Sequence, residues 1–308
     1  DGVQQLEEFE LAQFQDEADF IRVLLPNQLF VKTHQNKLSQ ILTVNFQQWS
    51  GKKGFQNFAS HFYNQTSYLI DRKVLRDGNS FDLNPFEDDD NALGLNLNFR
   101  NTLFFNRGKQ QYTTSYTYLA NTARNLVSLG LQTNELRSHQ VSFLHKIKAS
   151  YLFNLNTALG TNSSASENFA QRNYSLETFE LNPKISYLFD DNTRLEAFYS
   201  LGTKENSLGA LEYLNKQDFG VAFSYSNAEK ISFNIEAQYI KNEFEGAAFS
   251  PVAYQMLEGL QPGSNFTWNV IAQKRLTKFL DLNLSYFGRK SEDSRTIHTG
   301  TVQLRALF

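Results

Sequence analysis

The chain has 308 residues, a net charge of −3, a mean hydropathy of −0.46 and no cysteine. That length suits two ordinary domains or one large barrel, and the missing cysteine excludes a disulfide framework, a thiolate metal site and a Cys nucleophile. The charge gives no reason to expect nucleic acid, and no run approaches the about eighteen apolar residues of a spanning helix.

The chain opens D-G-V-Q-Q-L-E-E, which fits the second half of a calcium-loop pattern. Asp1, Gly2 and Glu8 stand at its Asp, Gly and bidentate-Glu positions, and the glycine permits the turn that lets hard oxygens converge. The first two ligand positions fall before residue 1, so calcium is expected only in a longer protein; within this chain no cofactor is expected. The competing reading is an acidic helix, since Glu7, Glu8 and Glu10 continue the acidity. A start at Asp with no signal peptide leads us to expect a mature or cut product.

From there on, apolar and polar residues alternate with period two, the mark of half-buried strands. The 28 Phe and 14 Tyr against one Met suit such strands. Leu93, Leu95, Leu97, Phe99, Leu103 and Phe105 share one parity, broken by Asn101. Ile231, Phe233, Ile235, Ala237 and Tyr239 alternate with Ser232, Asn234, Glu236 and Gln238, and Leu280 to Tyr286 repeat the pattern. No amphipathic helix of comparable clarity stands out beyond residue 35. Strands are expected near 21–33, 38–49, 55–70, 93–107, 110–121, 136–148, 150–160, 174–189, 193–203, 215–226, 230–242, 264–276, 280–290 and 296–308. That is about fourteen, with a range of about 12–16, and even numbers are the rule for single-chain bacterial barrels. Pro26 weakens the first strand, and Pro183 predicts a bulge or break in its own.

The gaps between these strands alternate in length, except that the two outermost on the long side, Ser291–Arg295 and His34–Lys37, are modest. Gly108–Lys109, Ala149, Asp190–Asn192, Asn227–Glu229 and Thr277–Phe279 are short. Asp71–Ala92, Thr122–Glu135, Thr161–Asn173, Lys204–Leu214 and Glu243–Gly263 are long. Short turns on one side and long loops on the other are the build of an outer-membrane barrel, with the C-terminus on the periplasmic side. Trp49, closing a strand at a short turn, and Trp268, just after a long loop, are expected in the two interfacial girdles. By parity Arg100, Arg194, Glu196, Glu236, Arg275, Asp281, Arg289 and Arg305 should face the lumen. Their mixed signs favour ion-pair ladders over a pore's selectivity field.

The last residues, T-I-H-T-G-T-V-Q-L-R-A-L-F, form a closing strand with Val302, Leu304, Ala306 and Phe308 on its apolar face. The five histidines, His34, His61, His139, His145 and His298, show no metal spacing and nothing marks a catalytic set. We therefore expect no enzyme.

Three segments carry a resemblance: 1–16, S-P-V-A-Y-Q-M-L-E-G-L-Q-P-G-S-N-F-T-W-N (250–269) and G-R-K-S-E-D-S-R-T-I-H-T-G-T-V-Q-L-R-A-L-F (288–308). The chain resembles the C-terminal region of large Bacteroidota, flavobacterial-type, outer-membrane proteins, over essentially its whole length. Its register departs from the usual assembly pattern, because Gly300 is followed three and five residues later by Gln303 and Arg305. The expectation is an all-β, up-and-down antiparallel transmembrane barrel over 21–308, preceded by a periplasmic lead-in segment, 1–20. Expected partners are outer-membrane lipid and lipopolysaccharide, the barrel-assembly machinery, and protein partners in an envelope complex. The expected role is an anchor or platform for envelope or secretion/assembly machinery. The alternatives are a pore for small solutes or polypeptide and an outer-membrane hydrolase.

Overall fold

A computed structural model describes residues 18, 20, 31–76, 92–108, 111–127, 130–227, 231–292 and 294–306. Among these residues thirteen strands follow one another: β1 Thr33–Asn45, β2 Phe62–Leu75, β3 Ala92–Phe105, β4 Tyr112–Val127, β5 Gly130–Ile147, β6 Tyr151–Ser166 and β7 Tyr174–Leu188. Then come β8 Thr193–Asn206, β9 Tyr213–Asn227, β10 Ile231–Glu245, β11 Gly263–Thr277, β12 Leu280–Ser291 and β13 Ile297–Ala306. All belong to one sheet in sequence order, and every neighbouring pair is antiparallel. The fold is all-β and up-and-down, as the alternation requires. No ladder joins β1 to β13 among the described residues. The expected strand near 21–33 lies almost wholly outside the described residues, as does the lead-in segment 1–20.

Period two gives each strand two faces, and the register carries those faces across the sheet. Tyr112, His145, Phe153, Ile185, Ala197, Val221, Ala237, Trp268, Gly288 and His298 form one row through ten strands. This face exposes Leu159, Ile185, Phe219, Val221, Ile235 and Tyr239. The opposite face is polar, with Ser186, Glu196, Ala222, Glu236, Asn269 and Phe287 in one row.

A short helix decides which face is concave. α2, Pro251–Leu257, lies in the β10–β11 connection and is about 10 Å long. It packs on Leu176 of β7 and Leu214 of β9, with Tyr174 and Phe244 beside them. Its exit is held by Lys204 of β8, Lys216 of β9 and Arg289 of β12. On a flat sheet β7 and β12 lie five spacings apart, about 24 Å. One helix and its turn touch all of these strands because the sheet curls around them, so the polar face is the inner one.

Several expected bounds shift. Residues 55–70 are not one strand: a single-turn helix, α1, spans Phe55–Ala59, and β2 begins at Phe62. The β1–β2 connection is therefore long, 46–61, on the side where the other connections are short. The expected long gap 122–135 is the reverse case, because β4 and β5 continue as a hairpin to Val127 and Gly130. Polar side chains stay in a ladder once backbone pairing is started, so loss of apolar alternation did not mark the strand end. Pro183 causes no register shift. It pairs with Leu155 on one side, while 182 and 183 drop out of the ladder to β8 on the other, as a residue without an N–H dictates.

Candidate functional site

The long-loop end of β7–β10, closed from inside by α2, holds the best-packed part of the described chain. Ser250 caps the helix by accepting a 3.0 Å bond from the Ala253 amide, and Pro251 fills the first turn, where no N–H is missed. Val252, Ala253, Met256 and Leu257 then form an apolar stripe pointing to the sheet. Ala253, Met256 and Leu214 are fully buried. Burial of this stripe, at about 25 cal/mol per Å² of apolar surface, is what keeps the loop folded inward.

Polar contacts complete the attachment. Lys204 Nζ donates to the Met256 carbonyl at 3.1 Å and to Glu258 Oε1 at 2.6 Å. Lys216 Nζ donates to Glu258 Oε2 at 2.7 Å, and Arg289 Nη1 to the Gly259 carbonyl at 3.3 Å. Burial pushes the Glu258 carboxyl up, but the charges of Lys204 and Lys216 outweigh it and hold the group at about 2. Further along, Asn242 and Asn265 both donate to the Gln261 carbonyl, at 3.2 and 2.8 Å. Ser291 Oγ donates to Asn265 Oδ1. The exit of the loop is thus fixed at several points.

Below this lid the eight charged residues read from parity share one face of the sheet. The ladders put Arg100, Arg194, Glu196, Glu236, Arg275, Asp281, Arg289 and Arg305 all on the inner face. They do not converge on one point. Glu196 gathers Ser186 at 2.8 Å, Lys184 at 3.3 Å and Arg194 at 3.6 Å. Arg275 and Asp281 pair at 3.7 Å near the short-turn end, opposite Arg305 in the ladder. Asn154 Oδ1, Asp218 Oδ1 and Asn269 Oδ1, all on this wall, are buried and have no hydrogen-bond partner among the described residues. Buried oxygens of that kind call for water.

The tryptophans part company. Trp268 lies on the outer face with its indole over Gly288, where a Cβ would stand 2.0 Å from Cε2. It neighbours Phe266 and His298 at ring distances of 5.6 and 5.7 Å. Trp49 closes no strand: β1 ends at Asn45, and Trp49 sits in a 3₁₀ turn, Gln47–Trp49, against Phe46 at 5.1 Å. Val302, Leu304 and Ala306 lie on the outer face of β13, paired with Leu284, Leu282 and Leu280. Asp1, Glu8 and Phe308 lie outside the described residues. Two histidines on the outer face are bound to tyrosine hydroxyls, His139 to Tyr116 at 2.7 Å and His298 to Tyr286 at 2.8 Å. Among the described residues no group of three His, Asp or Glu side chains is placed to hold a metal.

Lys204, Lys216 and Glu258 escaped the sequence reading. The marker was present: Ser250-Pro251 is a helix start, followed by apolar residues one helical turn apart.

Ladder order and curvature define an up-and-down antiparallel sheet of the β-barrel class with an inward-folded loop. No protein-family model matches the chain, and no curated protein does. Among solved structures, the beta domain of the Bordetella autotransporter Brka aligns over 90% of this chain and 97% of that one, at 11% identity and a TM-score of 0.29. Likeness at that level carries no argument, and the fold class rests on this chain's own ladders.

Proposed function

We propose that the chain is an integral outer-membrane β-barrel, the C-terminal membrane domain of a larger envelope protein. It serves as anchor or platform for an envelope or secretion/assembly complex. The observation that carries the reading is the outer apolar belt. On β10 it runs from Ile231 to Tyr239 and stops at Lys241, Glu243 and Glu245. Eight rises of about 3.4 Å give about 27 Å along the strand, or about 20 Å of height at a tilt of about 40°. Outer-membrane barrels carry an apolar band of about 25 Å. Leu159, Ile185, Phe219, Val221 and Ile235 expose the same face from β6 to β10, and contiguous apolar patches beyond a few hundred Å² are rare on water-soluble monomers. In a bilayer the ladders satisfy the backbone where water is absent. On this reading lipid and lipopolysaccharide surround the belt, the C-terminus is periplasmic, and the long connections face outside.

The inward position of α2 favours a plugged platform. The unpartnered oxygens on the inner wall favour a second reading, a wetted pore for small solutes. Extraction and planar-bilayer recording test the two together. The proposal expects the protein to stay in the membrane fraction through a salt wash, to dissolve only in detergent, and to give no steady current. Recovery of native protein in the wash defeats the membrane reading, and a steady open-channel current defeats the plug.

A further inference from the structure

Glu258 ends α2 with φ +57°, a left-handed conformation usually left to glycine. A glycine stands at the very next position, Gly259, so the side chain at 258 is not there for backbone reasons. What it provides is a carboxylate shared between two cations, one oxygen to each, at 2.6 and 2.7 Å. That is also how two ammonium groups would grip a free carboxylate or phosphate.

The lysines are largely removed from water: the Lys204 side chain is 16% exposed and that of Lys216 21%. An ammonium group sequestered without a counter-charge is strongly disfavoured. Asp218 supplies it only in part: it lies on the same face two residues from Lys216 and feels that charge, yet among the described residues it forms no ion pair and its Oδ1 accepts no hydrogen bond. Lifting α2 removes Glu258 from both cations, and Arg289 then loses its carbonyl as well. Release of the lid and arrival of a replacing anion are therefore coupled, each favouring the other.

We propose that Lys204 and Lys216 form a binding site for a carboxylate- or phosphate-bearing solute on the inner wall, occupied in the closed state by the chain's own Glu258. The solute competes with Glu258 and frees α2. The inference rests on the reading of the inner face as a lumen; it does not need the anchor role.

Amide exchange over Val252–Leu257, measured on the whole purified chain in detergent, is the test. Inorganic phosphate should speed exchange severalfold over chloride at equal ionic strength, and K204Q/K216Q should abolish the difference while K204R/K216R keeps it. Acetate matching phosphate assigns the site to carboxylates as well; phosphate acting alone assigns it to phosphorylated solutes. Because the double glutamine variant could fail to fold, E258Q supplies an independent reading: its vacated site should bind phosphate more tightly than wild type by calorimetry. The proposal is overturned by equal exchange in phosphate and chloride, by a phosphate effect that survives K204Q/K216Q, or by E258Q binding no better than wild type. A salt wash that releases the protein would overturn the membrane reading separately, with the exchange result standing on its own.

Discussion

The sector β7–β10 and the terminal strands β1 and β13 share one alternating pattern and end in opposite conditions. In the first, α2 covers the inner face, and Leu214 and Met256 are fully buried. In β13, Val302 and Leu304 are 69% and 61% exposed, and β1 exposes Ile41 at 66% and Leu42 at 54%. Alternation alone thus makes a surface with two characters. Where the α2 loop returns to the inner wall it adds a packed apolar cluster, and stability and control should concentrate there.

The largest break in that comparison should come from Met256→Ala. A cavity beneath α2 should cost about 2–5 kcal/mol, whereas Val302→Ala in detergent should stay within about 0.5 kcal/mol. Chemical unfolding in micelles measures both, and equal losses would erase the distinction. Next is Val221→Arg in the middle of the outer belt. It should cost about 2–4 kcal/mol for folding into lipid vesicles and little in detergent. A similar cost in both media would mean the belt does not meet lipid.

Acid should loosen α2 selectively. The Glu258 carboxyl lies at about 2 in the folded chain against 4.5 when free. A depressed carboxylate contributes fully above about pH 4.5 and loses that contribution as pH falls through about 2. Exchange over α2 should accordingly rise below about pH 4 in wild type and show no such step in E258Q. The smallest effect is Gly288→Ala, which must push the Trp268 indole aside. A cost of about 1 kcal/mol and a shift in tryptophan emission are expected.

The strands were legible because an apolar row and a polar row cannot share a parity. The eight charged residues read from that parity do share a face, since register conserves parity from strand to strand. Strand ends were less legible: β4 and β5 run on through Ala123–Val127 and Gly130–Glu135, where the polar pairs Arg124–Thr133 and Asn125–Gln132 interrupt the apolar alternation but not the ladder. Phe55 and Phe58 look like strand residues, yet Gly54 at φ +71° turns the chain into α1. The lid was legible only as a loop. Its helix is short, and its meaning depends on Lys204 and Lys216, which lie 54 and 42 residues away in sequence and meet Glu258 only through the curl of the sheet.

A chain without cysteine makes the most direct test clean. Single cysteines placed along β10 from Ile231 to Glu245, spin-labelled and reconstituted in lipid, report collision with oxygen or with a water-soluble relaxer at each position. The account predicts oxygen-rich, lipid-facing signals at 231, 233, 235, 237 and 239, a switch to water at 241, 243 and 245, and no lipid signal at the even positions. Odd positions 231–239 that collide with the aqueous reagent as freely as 241–245 would contradict it.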